Sequence, residues 1–180
     1  MFSAEFPNLL ELEIPDPSLV LLIGSSGAGK STFAARHFSP TEVISSDHCR
    51  ALICDDESDQ TINAQAFGLL HHIARLRLTQ QRLTVIDATN LQFRARRPLL
   101  RMARANHLPI VALVFNIPLR TCLRHNRTRP QRVVNEEVLE QHRQQLAATL
   151  ARLEREGYHQ IYLLDETGIA EVQVKKMRHQ

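Results

Sequence analysis

The feature that most constrains this chain is a glycine-rich turn set directly behind a short apolar run. Ser18–Ile23 reads SLVLLI, the length and composition of a strand buried on both faces. Gly24-Ser25-Ser26-Gly27-Ala28-Gly29-Lys30-Ser31 follows and fits G-x-x-x-x-G-K-[ST] without a mismatch. A helix is predicted from about Lys30 to His37. Glycines let the backbone curl so that its N–H groups point inward and cradle phosphates. The helix N-terminus adds partial positive charge. In this pattern residues 24–32, through Thr32, form a nucleotide-phosphate cradle. Lys30 reaches the β- and γ-phosphates, and the Ser31 hydroxyl ligates Mg²⁺. Lys30 is also the only lysine before Lys175.

The rest of the chain alternates strand and helix, which predicts an α/β P-loop fold: a five-stranded parallel sheet flanked by helices. Further strands are expected at Thr41–Ser45, Leu83–Asp87, Ile110–Asn116 and Gln160–Leu164. Ala51–Asp59 reads as a polar, acidic connection. Helices are expected over Thr61–Arg82, from near Pro98, after Pro118, and from about Asn135 to Glu156, where Gly157 stops the last one. A short helix closes the chain. Residues 1–16 read as an extension and 17–180 as one domain, a size that suits a single core.

Two strand ends carry candidate chemistry, because ligands of such sheets sit beyond the carboxyl ends of the strands. Ser45-Ser46-Asp47-His48-Cys49-Arg50 places Asp47 beside the turn. It either takes a proton from an attacking hydroxyl or caps a helix. Arg50 could hold an acceptor phosphate, with Ser46 beside it. Asp87-Ala88-Thr89-Asn90 offers Asp87 either to the Mg²⁺ shell or as the cap of a turn, and Thr89 and Asn90 either contact substrate or form that turn. Arg127, Arg129 and Arg132 around Pro130 suit an arginine-bearing lid. Arg94, Arg96, Arg97, Arg101 and Arg104 form a second basic cluster, either a polyanion track or a solvated helix face. The acidic run Asp55–Asp59 would repel a polyanion and is expected away from its path.

Composition narrows the class. The chain has 180 residues, a formal charge of +3 and a sequence pI near 9.0. No apolar run reaches the roughly 18–20 residues of a membrane span, and the N-terminus lacks the basic start of a signal peptide. A cytoplasmic protein is expected. Cys49, Cys54 and Cys122 show no C-x-x-C spacing, which argues against a disulfide framework or a zinc site.

Five segments together resemble one family: LIGSSGAGKSTFA, PTEVISSDHCR, DDESDQT, LTVIDATN and Asn126–Arg132. In that order they resemble the 5′-kinase domain of bacterial polynucleotide kinase-phosphatase, an RNA end-healing enzyme. The resemblance runs from about Leu19 to Leu164. It implies an ATP- and Mg²⁺-dependent kinase acting on 5′-OH ends of RNA or DNA, with other nucleoside triphosphates as possible donors. It further implies Lys30 and Ser31 as the donor-site pair, Asp47 as general base and Arg50 as a contact to the acceptor phosphate. Arg129 and Arg132 match the lid arginines, though Pro130 alters the local spacing. No G-D-x-H-G or D-x-D-x-T signature is present. A kinase without the family's phosphatase is therefore expected. Two rivals share the scaffold: a small-molecule or nucleoside kinase, and a non-catalytic ATP-dependent binding module.

Overall fold

A computed structural model describes residues 11–128 and 134–178. In chain order the elements are β1 (Glu11–Asp16), β2 (Leu19–Gly24), α1 (Lys30–His37), β3 (Val43–Ser45), α2 (Ser46–Cys54), α3 (Asn63–Thr79), β4 (Thr84–Asp87) and α4 (Phe93–Ala105). Then come β5 (Ile110–Phe115), α5 (Leu119–Arg127), α6 (Glu136–Leu150), a 3₁₀ turn (Leu153–Glu156), β6 (Gln160–Leu164), α7 (Glu166–Glu171) and β7 (Gln173–Arg178).

Five strands make one parallel sheet in the order β3-β4-β2-β5-β6. β2 is central, with Leu19–Leu22 beside β4 and Leu19–Gly24 beside β5. Every β2 residue is buried, as expected of an apolar strand covered on both faces. Leu19, Leu21 and Ile23 pack under α3, α4 and the end of α6. Val20 and Leu22 face α1 and the opposite core. Chain order reverses across β2, so the turn after it lies at the topological switch point.

Four segments depart from the sequence reading. Residues 46–54, partly assigned to a polar connection, form α2, because Ser45 caps it: its hydroxyl accepts the His48 N–H at 3.4 Å. α4 begins at Phe93 rather than near Pro98, which sits inside it. Pro98 forfeits one backbone bond, but the preceding turn is anchored by Arg96, which is fully buried and pairs with Glu156. The predicted Asn135–Glu156 helix ends as α6 at Leu150, and the chain tightens into the 3₁₀ turn that aims Glu156 inward; Gly157 then turns the chain out at φ 75°. At the chain ends, residues 11–16 are strand, and α7 is followed by β7. The two strands pair in parallel from Glu11–Gln173 to Asp16–Arg178. Leu12 and Ile14 alternate inward with no exposed surface and join Phe33, Phe38 and Val85 in the second core.

Candidate active site

The turn predicted as a phosphate cradle has the backbone it needs. Gly27 and Gly29 have φ of 79° and 87°, values that L side chains rarely adopt. A Cβ on Gly29 would meet nothing within 4 Å, so the loop interior is open there. Gly27 is pressed against α5: a Cβ would fall 2.5 Å from the Cys122 carbonyl oxygen. His125, also on α5, places Nδ1 3.0 Å from the Gly27 carbonyl, to which the ring donates. Lys30, 7% exposed, donates from Nζ to the carbonyls of Gly24 (2.9 Å) and Ser25 (2.7 Å).

The end of β4 is stapled to this loop. The Gly24 N–H donates to the Thr89 carbonyl at 3.0 Å. Asn90 takes φ 50°, and its amide nitrogen donates to the Leu22 carbonyl at 2.8 Å. Asn90 is buried and is not among the residues lining the cavity beside it, which favours the turn over the substrate contact. Its short amide suits the left-handed turn and satisfies a strand-end carbonyl instead. Thr89 does line the cavity.

That cavity has a volume of about 670 Å³ and joins the donor and acceptor residues. Lys30, Ser31 and Asp87 line it together with Ser46, Asp47 and Arg50. The helix cap is Ser45, so the cap reading of Asp47 falls away. Asp47 sits in the first turn of α2 with its side chain one-third exposed to the cavity, and Arg50 Nη2 pairs with its Oδ1. Arg50 is buried. Its Nε donates to the Glu57 carbonyl at 2.6 Å and its Nη1 to Asn63 Oδ1 at 2.9 Å. Expected as an acceptor contact, Arg50 is thus also the group that orients Asp47. Ser46 Oγ lies 3.5 Å from Asp47 Oδ1.

The donor set fits a small hard cation. Ser31 contributes a hydroxyl and Asp87 a carboxylate to the same cavity, as suits an ion held largely by phosphate and water. Among the described residues no group of three or more His, Cys, Asp or Glu side chains could hold a metal by itself. The cysteines are free, and burial raises the Cys49 thiol above its ordinary range, so it stays neutral.

The structure adds residues that no motif announces. His142 of α6 lines the cavity, and its Nδ1 accepts the Ser26 N–H at 3.4 Å. Phe67 of α3 and Val138 of α6 add apolar surface, and Ser58, Gln60 and Asn63 add polar groups. Only DDESDQT, which ends just before α3, hinted at this wall. Within the acidic run, expected away from a polyanion's path, Ser58 lines the cavity, and Gln60 just beyond it does too. Asp56 is ionised there, its carboxyl held below the usual range by the Ser58 hydroxyl and N–H. The Arg50 bond to Glu57 is what draws the segment in. Arg129 and Arg132 lie outside the described residues. Arg127 is exposed and pairs with Glu136 at 2.8 Å.

Comparison with known proteins agrees on the fold. A chain of the Pnkp1/Rnl/Hen1 RNA repair complex superposes with a TM-score of 0.66 at 21% identity, over 77% of this chain and 47% of that one. A sugar kinase from Janibacter sp. HTCC2649 gives 0.56 at 18% identity, over 86% and 91%. APS kinase CysC of Mycobacterium tuberculosis, in complex with AMPPNP and APS, gives 0.52 at 17%, over 85% and 90%. The chain spans about half the length of the RNA-repair chain it matches. No curated protein matches the sequence. No described helix is long and apolar enough to cross a membrane. The architecture is a P-loop kinase fold, and the family model described as AAA domain covers residues 19–177: the chain belongs to that family.

Proposed function

We propose that this protein is a polynucleotide 5′-hydroxyl kinase that moves the γ-phosphate of ATP to the 5′-OH end of RNA or DNA in nucleic-acid end healing. The observation that carries the reading is the shared cavity: Asp47, held by buried Arg50, faces the same space as Lys30 and Ser31. The glycine loop and Lys30 hold the donor phosphates, and Ser31 and Asp87 would hold Mg²⁺. That ion, when bound, neutralises charge on the phosphate oxygens. Asp47 accepts the proton of the 5′-hydroxyl as its oxygen bonds to the γ-phosphorus and the bond to ADP breaks. Arg50 keeps the Asp47 carboxylate aimed, and Phe67 and Val138 give the acceptor nucleoside an apolar seat. By the resemblance, Arg129 and Arg132 would neutralise charge on the moving phosphoryl group. The likeness to a chain of an RNA repair complex supports the choice of acceptor.

The test is transfer of labelled γ-phosphate to 5′-OH RNA and a matching DNA. Asp47→Ala is expected to lower the rate by about 10²–10⁴-fold while ATP binding persists. Near-normal transfer by that variant would remove Asp47 as the base.

A small-molecule kinase is the second reading. It is favoured by the sugar-kinase and APS-kinase structures, which this chain matches over nearly their whole length. Equal transfer to free nucleosides or sugars would establish it. Nucleotide-dependent partner binding with no transfer to any acceptor would indicate a non-catalytic module.

A further inference from the structure

We infer that the outer face of α4 is a track for the phosphate backbone of a single-stranded nucleic acid, carrying the acceptor strand away from the cavity. The inference rests on the polynucleotide reading above. Arg94, Arg97, Arg101 and Arg104 are all exposed and recur at intervals of three and four residues, so they lie on one helix face. At 1.5 Å per residue the stripe is about 15 Å long. Arg96, the remaining arginine of the cluster, is buried against Glu156 and does not belong to it.

Neither α4 itself nor its neighbouring helix offsets this charge. α4 contains no acidic residue, and α3, which packs beside it over the same core, contains none either. From Gln60 to Asn135, Asp87 is the single acidic residue, and it points into the cavity region. Arg94 donates to Gln92 Oε1 at 2.6 Å, a neutral partner, and Arg104 Nη2 donates to the Glu156 carbonyl. Among the described residues no ion pair involves Arg97 or Arg101. Self-repelling arginines held on a rigid helix gain most from a polyanion, whose released counterions supply the driving force.

The stripe also begins at the right place. Thr89 lines the cavity and Phe93 opens α4 four residues later, a span of at most about 14 Å. At that helix end Arg152 stacks over the Phe93 ring, 4.6 Å from its centroid, and with Arg155 and Glu156, whose carboxylate is paired with buried Arg96, borders a smaller hollow of about 280 Å³. Ser58, which lines the cavity, sits within the acidic run Asp55–Asp59, which repels phosphate. A strand longer than a few nucleotides is therefore steered past Thr89 and down α4.

The probe is a fluorescein-labelled 5′-OH single-stranded RNA of about 20 nucleotides, titrated against wild type and R97E/R101E at low and moderate salt. Loss of two phosphate contacts predicts binding at least about tenfold weaker and a log–log salt slope smaller by about 1.4. R97Q/R101Q falls between the two. Melting temperature is unchanged, since both side chains are exposed, and so is KM for a 5′-OH dinucleotide, which is too short to reach α4. Unaltered 20-mer binding in R97E/R101E, no binding by wild type, or an equal loss with the dinucleotide would each overturn the track. A wild type that binds the 20-mer through these arginines yet phosphorylates no 5′-OH end would defeat the kinase reading and leave the track standing.

Discussion

Gly27 is fixed by two separate demands. Its φ of 79° lies in the left-handed region, where a Cβ costs about 1–2 kcal/mol, and the Cys122 carbonyl of α5 occupies the space a Cβ would need. Gly27→Ala must therefore distort the loop or push α5 outward. ATP affinity is expected to fall by about tenfold or more, read by titration with a fluorescent nucleotide. The motif showed that glycine belongs here for the sake of the phosphate. It held no sign that α5 imposes a second requirement. Asp47 teaches a related lesson. Its sequence neighbours left cap and base as equal readings, because Ser-Asp after a strand serves either. The hydroxyl of Ser45 fills the cap, which leaves the Asp47 carboxylate for Arg50 and the cavity. Asn90 went the other way. An asparagine after a strand end reads as a ligand contact or as a turn, and its bond to the Leu22 carbonyl makes it part of the scaffold.

Among the elements, α4 and the 3₁₀ turn depend on one buried ion pair. Arg96 Nε donates to Glu156 Oε2 at 2.9 Å, Nη2 pairs with Oε1, and Nη1 donates to the Asn90 carbonyl at 2.6 Å. Tyr158 adds its hydroxyl to Glu156 at 3.4 Å, and burial pushes that phenol well above its ordinary range, so it remains a donor. Glu156→Ala leaves a guanidinium without surface exposure or charge partner. A loss of about 3–5 kcal/mol in urea denaturation is expected. Arg96→Met with Glu156→Leu should recover much of it, because the pair of apolar side chains avoids desolvating either charge. Helical patterning located α3 to within a turn, but it started α4 late, near Pro98, and ran α6 on to Glu156. It could not show that Arg96 faces inward, since arginine on an amphipathic helix normally marks the wet side, and the compensating carboxylate lies sixty residues away.

At the scale of the whole molecule, the five-stranded sheet and its covering helices make one layer system, and the β1–β7 ribbon is laid over its α1 side. Leu12 and Ile14 are the apolar teeth of that ribbon, packed with Phe33, Phe38 and Val172. Tyr162 donates to the Glu13 carbonyl at 3.0 Å, and Lys176 pairs with Glu42 at 2.6 Å, so the ribbon is also tied at its margins. Ile14→Ala should cost about 2–5 kcal/mol, read by thermal or denaturant unfolding. ATP binding below the transition should stay unchanged, because no residue of the ribbon lines the cavity. The parallel sheet, the glycine turn and the two acid-bearing strand ends were legible in the sequence, because each rests on contiguous residues: an apolar run, a glycine pattern, a carboxylate after a strand. What only the tertiary structure decided rests on residues far apart in the chain. Those are the ribbon joining residues 11–16 to 173–178, the inward turn of Arg96, the grip of Arg50 on the acidic rim and the approach of His142 to Ser26. Local propensity cannot encode such pairings; they exist because burying one group forces another to come and satisfy it.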